Sequence, residues 1–233
     1  MNYSFDWSAL WEHRDLIVSG FVTTVELASI SLILATLIGV VIGTCGATGA
    51  RGLRALAIGW VELIRSIPLL IHMYIWYMAL AMLKLPAFAC ATLALSIYSS
   101  AYVAEVVRAG ILGLPAGQAK AGLACGLTEF QTLRLIVYPQ VLRRILPSLA
   151  SVFSQLIKDS SLASVIAVAD ITYQAGALDG LTFRTFEVYT MTLVLYLVLV
   201  SIVNRLLGML VGASIRSSAS ASTAKPSKGL RDA

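Results

Sequence analysis

"LPAGQAKAGLACGLTEFQTLRLIVYPQVLRR", Leu114 to Arg144, interrupts a chain whose flanks are long apolar tracts. Pro115 suits a first helical position and Gly126 a C-terminal cap, so the spacing predicts a helix of about 11 residues between them. Such a helix is about 16 Å long, roughly half the hydrocarbon core of a bilayer. Thr128-Glu129-Phe130-Gln131 then reads as a capping box, opening a second short helix. Phe130, Leu133, Ile136 and Val137 give that helix one apolar face, and Pro139 is expected past its end. Two short helices joined at a glycine cannot span a membrane. They predict an elbow outside it. An amphipathic loop lying on the lipid surface is the plainer alternative. The first helix argues against it, because Ala119, Ala121, Gly122, Ala124 and Cys125 grip lipid poorly and suit close approach by another protein.

The rest of the chain decides the class. Of 233 residues, 58% are hydrophobic and 12% charged, with a mean hydropathy of +0.85. No soluble domain of that size could solvate such a surface, so an integral membrane protein is expected. Five stretches reach the length of about 20 apolar residues that a crossing requires: 17–47, 55–83, 86–111, 146–172 and 186–212. The fourth is the most polar. The net charge of +5 does not imply nucleic acid, since Lys and Arg concentrate in loops of one side. With the N-terminus outside, twelve basic residues fall inside, among them Arg51, Lys120, Arg134, Arg143 and Arg205, against three outside, Arg14, Lys84 and Arg184. That bias predicts a periplasmic segment 1–16, a transmembrane region 17–212 carrying the cytoplasmic loop 114–144, and a disordered cytoplasmic tail 213–233. The N-terminus lacks a basic region ahead of an apolar core, so no cleavable signal is expected. Cys45, Cys90 and Cys125 show no metal spacing, and two histidines, His13 and His72, leave little for metal or acid–base chemistry.

Ionisable residues within spans mark either a pathway or an internal lock. On span two, Glu62 and Arg65 lie three apart and can pair; Pro68 follows and should kink or unwind the helix. On span three, Tyr98, Tyr102 and Glu105 share a face, and Glu105 can pair with Arg108. On span four, Ser148, Ser151, Gln155 and Lys158 make a polar stripe ending in Lys158-Asp159-Ser160-Ser161. Glu62, Arg65, Pro68, Tyr102, Glu105, Gln155, Lys158, Asp159 and Ser161 are therefore the candidate pathway residues. The structural alternative, charges that pair and never meet substrate, fits Glu62–Arg65 and Glu105–Arg108 better than it fits Lys158 and Asp159. Gly39 and Gly43 in "GVVIG" form a small-xxx-small packing face on span one.

"GQAKAGLACGLTEFQTLRLIVYPQVLRRILPSL" resembles the EAA loop of binding-protein-dependent ABC transporter permeases, and more narrowly the polar amino acid permeases. "FDWSALW" (Phe5–Trp11), "VELIRSIPLL" (Val61–Leu70), "AYVAEVVRAGI" (Ala101–Ile111) and "LIKDSSLASVIAVADI" (Leu156–Ile171) match the same family in order. The resemblance implies an all-α integral membrane fold of the type I ABC importer permease, with five transmembrane helices and a cytoplasmic coupling helix. It implies an importer of a polar amino acid, with glutamine, glutamate or aspartate favoured and basic amino acids or opines open. The implied partners are a pair of ATPase subunits, a second permease subunit of the same or a similar kind, a periplasmic amino-acid-binding protein and membrane lipid. ATP and magnesium would belong to the ATPase, and this chain would bind no cofactor. Gly117, Lys120, Ala121, Gly122, Gly126, Leu127 and Pro139 would form the ATPase contact. One departure stands out: Lys120-Ala121-Gly122 replaces the family's Glu-Ala-Ala, which reverses a charge near that contact. Either the ATPase compensates or coupling is weaker.

Other readings fare worse. "GQAKAG" at Gly117–Gly122 carries two glycines at P-loop spacing but is followed by Leu123-Ala124, where Lys and Ser/Thr must hold phosphate and magnesium, so this chain is not expected to be an enzyme. An intramembrane enzyme would need a nucleophile–base pair or metal set. A secondary transporter or channel would need inverted repeats and matched broken helices, and the sequence shows one clear break, at Pro68.

Overall fold

A computed structural model describes residues 4–223, and every regular element among them is helical. A short α1 (Ser8–Glu12) precedes α2 (Arg14–Thr48); α3 (Arg51–Ser66) and α4 (Leu69–Ala81) follow, then α5 (Ala87–Leu112). The loop contains α6 (Ala116–Ala124) and α7 (Glu129–Thr132), which runs through a π-helical turn (Leu133–Val137) into α8 (Tyr138–Asp159). A 3-10 segment (Ser160–Ile166), α9 (Ile171–Thr182) and α10 (Thr185–Thr223) complete the chain. α2, α5 and α10 are each long and apolar enough to cross a membrane, while the other two spans are bent pairs. α10 takes in residues 213–223, which the sequence assigns to a tail; residues 224–233 of that tail lie outside the described residues.

The first break is the one Pro68 predicts. α3 and α4 meet at 101°. Pro68 has no N–H to offer the carbonyl of Ile64, four residues back, and the preceding Ile67 is forced into extended backbone (φ −103°, ψ 128°). Ile64 is buried, and an unpaired carbonyl there would cost about 1–3 kcal/mol. Its replacement donor is the Nε2–H of the buried His72, 3.2 Å away, backed by a long 3.4 Å bond from the Ile67 N–H.

The second break is absent from the sequence reading. The helix running from Glu129 to Ile166 meets α9 at 51°. Ala167 adopts a left-handed conformation (φ 61°) and closes the 3-10 segment as a Schellman motif. Its N–H donates to Ser164 (3.0 Å), and that of Val168 to Ala163 (3.2 Å). Nothing in "SVIAVADI" carries the glycine that normally announces such a turn. Asp170 holds it instead. Fully buried, it caps α9 by accepting the Tyr173 N–H (2.9 Å) and receives the Tyr196 hydroxyl from α10 (3.3 Å). The Ile171 N–H donates to Thr24 on α2 (3.0 Å), so three helices share one buried polar knot.

Pro139 does not end a helix. It lies in the first turn of α8, and the chain is helical from Glu129 to Asp159. The turn before it widens to π geometry, with the Tyr138 N–H bonded to Leu133. That local widening accommodates the ring and the missing donor without breaking the rod. The second arm of the elbow is thus the start of span four, not a separate helix.

α2 against α5 is the most extensive pairing in the fold. It is made by the small residues of "GVVIG": a Cβ on Gly39 would stand 2.6 Å from the Val103 Cβ and 2.7 Å from the Ser100 carbonyl. Gly39→Leu is therefore expected to cost at least about 1–3 kcal/mol through overpacking. Gly59→Ala, where a Cβ meets nothing within 4 Å, should be neutral; thermal unfolding in detergent compares the two.

At the other end of the molecule the N-terminal segment is strapped to α10. The buried Glu187 accepts the Asp6 N–H (2.9 Å), Arg184 donates to the Ser4 carbonyl (2.7 Å), and Phe5 packs edge-on against Phe186 at 5.3 Å.

Candidate functional site: coupling elbow and interhelical cavity

The elbow is built by local signals. Gly126 at φ 83° completes a Schellman motif, with its N–H bonded to Leu123 (3.0 Å) and that of Leu127 to Gly122 (3.2 Å). The capping box forms as expected: Thr128 accepts the Gln131 N–H (3.2 Å), and Gln131 accepts the Thr128 N–H (2.8 Å). Gly122 is the one buried residue of α6 and faces inward. A Cβ there would stand 2.7 Å from Ile136 Cδ1 and 2.9 Å from Thr132 Cγ2. The Gly122 of this chain, where the family motif carries Ala, thus lets α6 lie closer to the next arm than an alanine would. Gly117, Lys120, Ala121 and Gly126 are exposed, and Leu127 is half-buried. Pro139, also exposed, sits on α8 beyond the elbow. Val137, Val141 and Ile145 bind the base of the lever to Val103 and Val107 of α5, with Leu114, Ala119 and Leu133 packed alongside.

The polar stripes of spans three and four meet. Tyr98, Ser99 and Tyr102 of α5 face Ser151, Gln155 and Asp159 of α8 across a cavity of about 410 Å³. The two tyrosine hydroxyls are 2.9 Å apart, and the Gln155 amide donates to Asp159 Oδ1 at 2.8 Å. The Arg65 guanidinium lies 5.1 Å from the centre of the Tyr102 ring, a cation–π contact at the same wall.

The candidate pathway residues divide on this geometry. Tyr102, Gln155 and Asp159 line the cavity, and Arg65 borders it. Lys158, adjacent to Asp159 and so pointing elsewhere, is exposed and does not line it, and neither does Ser161. Glu105 is engaged by Arg108 through two bonds of 2.7 and 3.1 Å and lines a separate, smaller recess. Glu62 and Arg65 do not form the expected ion pair: Arg65 reaches α5 instead, and Glu62 is exposed. Pro68 sits at the break. Sequence reasoning passed over His72, although a histidine four residues after a helix-breaking proline is placed to serve the carbonyl that the proline strands. It also passed over Asp170, whose position before "ITY" is an N-cap signal.

Residues 35–215 match the family model described as binding-protein-dependent transport system inner membrane component. The chain belongs to this family. The permease is 36% identical over 194 residues to the probable glutamine ABC transporter permease protein GlnM of Bacillus subtilis (strain 168), a match covering 82% of this chain and 90% of that one. It is 33% identical over 207 residues to the glutamine transport system permease protein GlnP of Escherichia coli (strain K12), covering 87% and 94%. The octopine transport system permease protein OccM of Rhizobium radiobacter is 33% identical over 225 residues, covering 88% and 89%. Among solved structures, an amino acid ABC transporter crystallised with histidines superposes with a TM-score of 0.81 at 31% identity, over 91% of the permease and 100% of that chain. The permease is thus an inner membrane subunit of the amino-acid ABC permease kind, with five spans when each bent pair counts as one.

Proposed function

We propose that the permease moves a polar amino acid, glutamine-like by preference, into the cytoplasm by alternating access driven by a separate ATPase pair. The observation that carries this reading is the pairing of two features in one helix. α8 holds Gln155 and Asp159 at the cavity, and its continuous N-terminal extension forms one arm of the exposed elbow. A force on the elbow therefore reaches the cavity wall through a rod rather than a loop. Asp159 would take the substrate ammonium, and Arg65 with the tyrosine hydroxyls its carboxylate and side-chain amide. Glutamine leads because the relatives GlnM and GlnP carry that name; OccM keeps opine-like derivatives as the second choice.

In this reading Gly117, Lys120, Ala121, Gly126 and Leu127 meet the ATPase, a periplasmic protein delivers substrate, and a second permease, the same chain or a similar one, completes the path. The N-terminus is periplasmic and the C-terminus cytoplasmic, as the basic loops require. Purification with the co-expressed partner subunits and reconstitution into liposomes tests the reading. Uptake of labelled L-glutamine should need ATP and the binding protein; uptake by the permease alone on an ion gradient would overturn it. In a variant lacking Cys45 and Cys90, the exposed Cys125 of the elbow should react with a membrane-impermeant maleimide only after the cells are opened. Labelling of intact cells would invert the topology.

A further inference from the structure

We infer that His72 is a positioning residue: it fixes the angle of the broken second span and thereby sets the wall of the substrate cavity. The inference rests on reading the cavity between α5 and α8 as the substrate path. Four contacts make a closed circuit. The His72 Nε2–H donates to the Ile64 carbonyl at 3.2 Å, across the α3–α4 break. The same imidazole packs edge-on against Tyr98, with ring centres 5.7 Å apart. The Tyr98 hydroxyl is 2.9 Å from that of Tyr102. The Tyr102 ring lies 5.1 Å below the guanidinium of Arg65, the residue bonded to Ile64. The circuit runs from α3 to α4 to α5 and back, and both tyrosines line the cavity.

The chemistry requires a side chain like histidine at this point. Ile64 lacks its helical donor because residue 68 is proline, and the Ile67 N–H reaches it only at 3.4 Å, so the shorter bond comes from a side chain one turn further on. It must donate from a buried position, since His72 is 5% exposed, and carry a flat face for Tyr98. A leucine of similar bulk fills the space but leaves the carbonyl only the long 3.4 Å bond from the Ile67 N–H. Glutamine places its amide nitrogen near the position of Nε2 and restores the bond without the ring. A hinge whose shorter hydrogen bond comes from a single side chain at a proline break is also a place where a small local change swings a whole helix.

The test uses the permease with its partner subunits, spin-labelled at Leu56 on α3 and Met78 on α4, both 73% exposed, in a background without native cysteines. His72→Leu is expected to shift and broaden the distance between the labels and to raise the half-saturating L-glutamine concentration about tenfold, with a smaller change in maximal rate. His72→Gln should return the distance to that of the unmodified permease and recover most of the affinity. Should His72→Leu fail to assemble, His72→Asn, whose shorter amide cannot reach Ile64, takes its place against His72→Gln. An unchanged distance in the variant lacking the donor overturns the inference, and so does a glutamine variant that behaves like leucine. If the distances respond as expected while no variant, nor the unmodified permease, takes up L-glutamine, the hinge stands and the substrate reading falls.

Discussion

Asp159→Asn is expected to lower ATP-driven uptake about 10- to 100-fold while the assembly still forms, because a hydrogen bond to a charged group contributes about 1.5–3 kcal/mol. Asp159 is the one carboxylate among the described residues lining the cavity between α5 and α8. Asparagine keeps its shape and can still accept the Gln155 amide at 2.8 Å, so the loss would report the charge and not the packing. An α-ammonium group is what such a charge would hold. Lys158→Met separates this from a general effect of charge in the segment. Lys158 is exposed and outside the cavity lining, and its loss should leave uptake within about twofold, the scale of most surface substitutions. Uptake is measured in liposomes under saturating ATP. An Asp159→Asn variant transporting like the unmodified permease would remove the cavity from the pathway.

The elbow gives the second large effect. Gly122→Val is expected to reduce uptake more than tenfold and to abolish the stimulation of ATP hydrolysis by substrate-loaded binding protein. The added branches must displace Thr132 or Ile136, and overpacking of this kind costs about 1–3 kcal/mol or more. The displaced part is the arm that continues into α8, so the damage falls on the linkage between elbow and cavity. Gly122→Ala should show a milder form of the same defect, because even its single Cβ stands 2.7 Å from Ile136 Cδ1. Shortening that side chain with Ile136→Val should then relieve part of it. A Gly122→Val variant with normal coupling would mean that α6 is not seated as a rigid part of the lever.

Local chemistry in the chain was enough to place most of the elements. Pro68 broke the second span, Gly126 turned the elbow, and Thr128 with Gln131 opened the next arm, each through a backbone donor or dihedral that only a few residue types supply. Apolar length and the glycines of "GVVIG" likewise foretold the spans and a close-packing face on the first of them. These signals need no knowledge of what lies across the bundle.

Where a feature depended on the far side of a helix, the sequence was ambiguous or silent. Spacing on one helix made Glu62 a fair partner for Arg65, but Tyr102 on α5 offered its ring and took the guanidinium. Lys158 and Asp159 stood as equals in the chain, and only the rotation of α8 about its axis turned one to the cavity and the other away. Ala167 bends the chain at a left-handed turn without a glycine because Asp170, Thr24 and Tyr196 hold that turn from three helices. Pro139 sits inside a helix because its neighbours open a π turn. Backbone breaks are written in single residues. Which faces meet is fixed by the packing of all the helices at once, and that information exists only in the folded bundle.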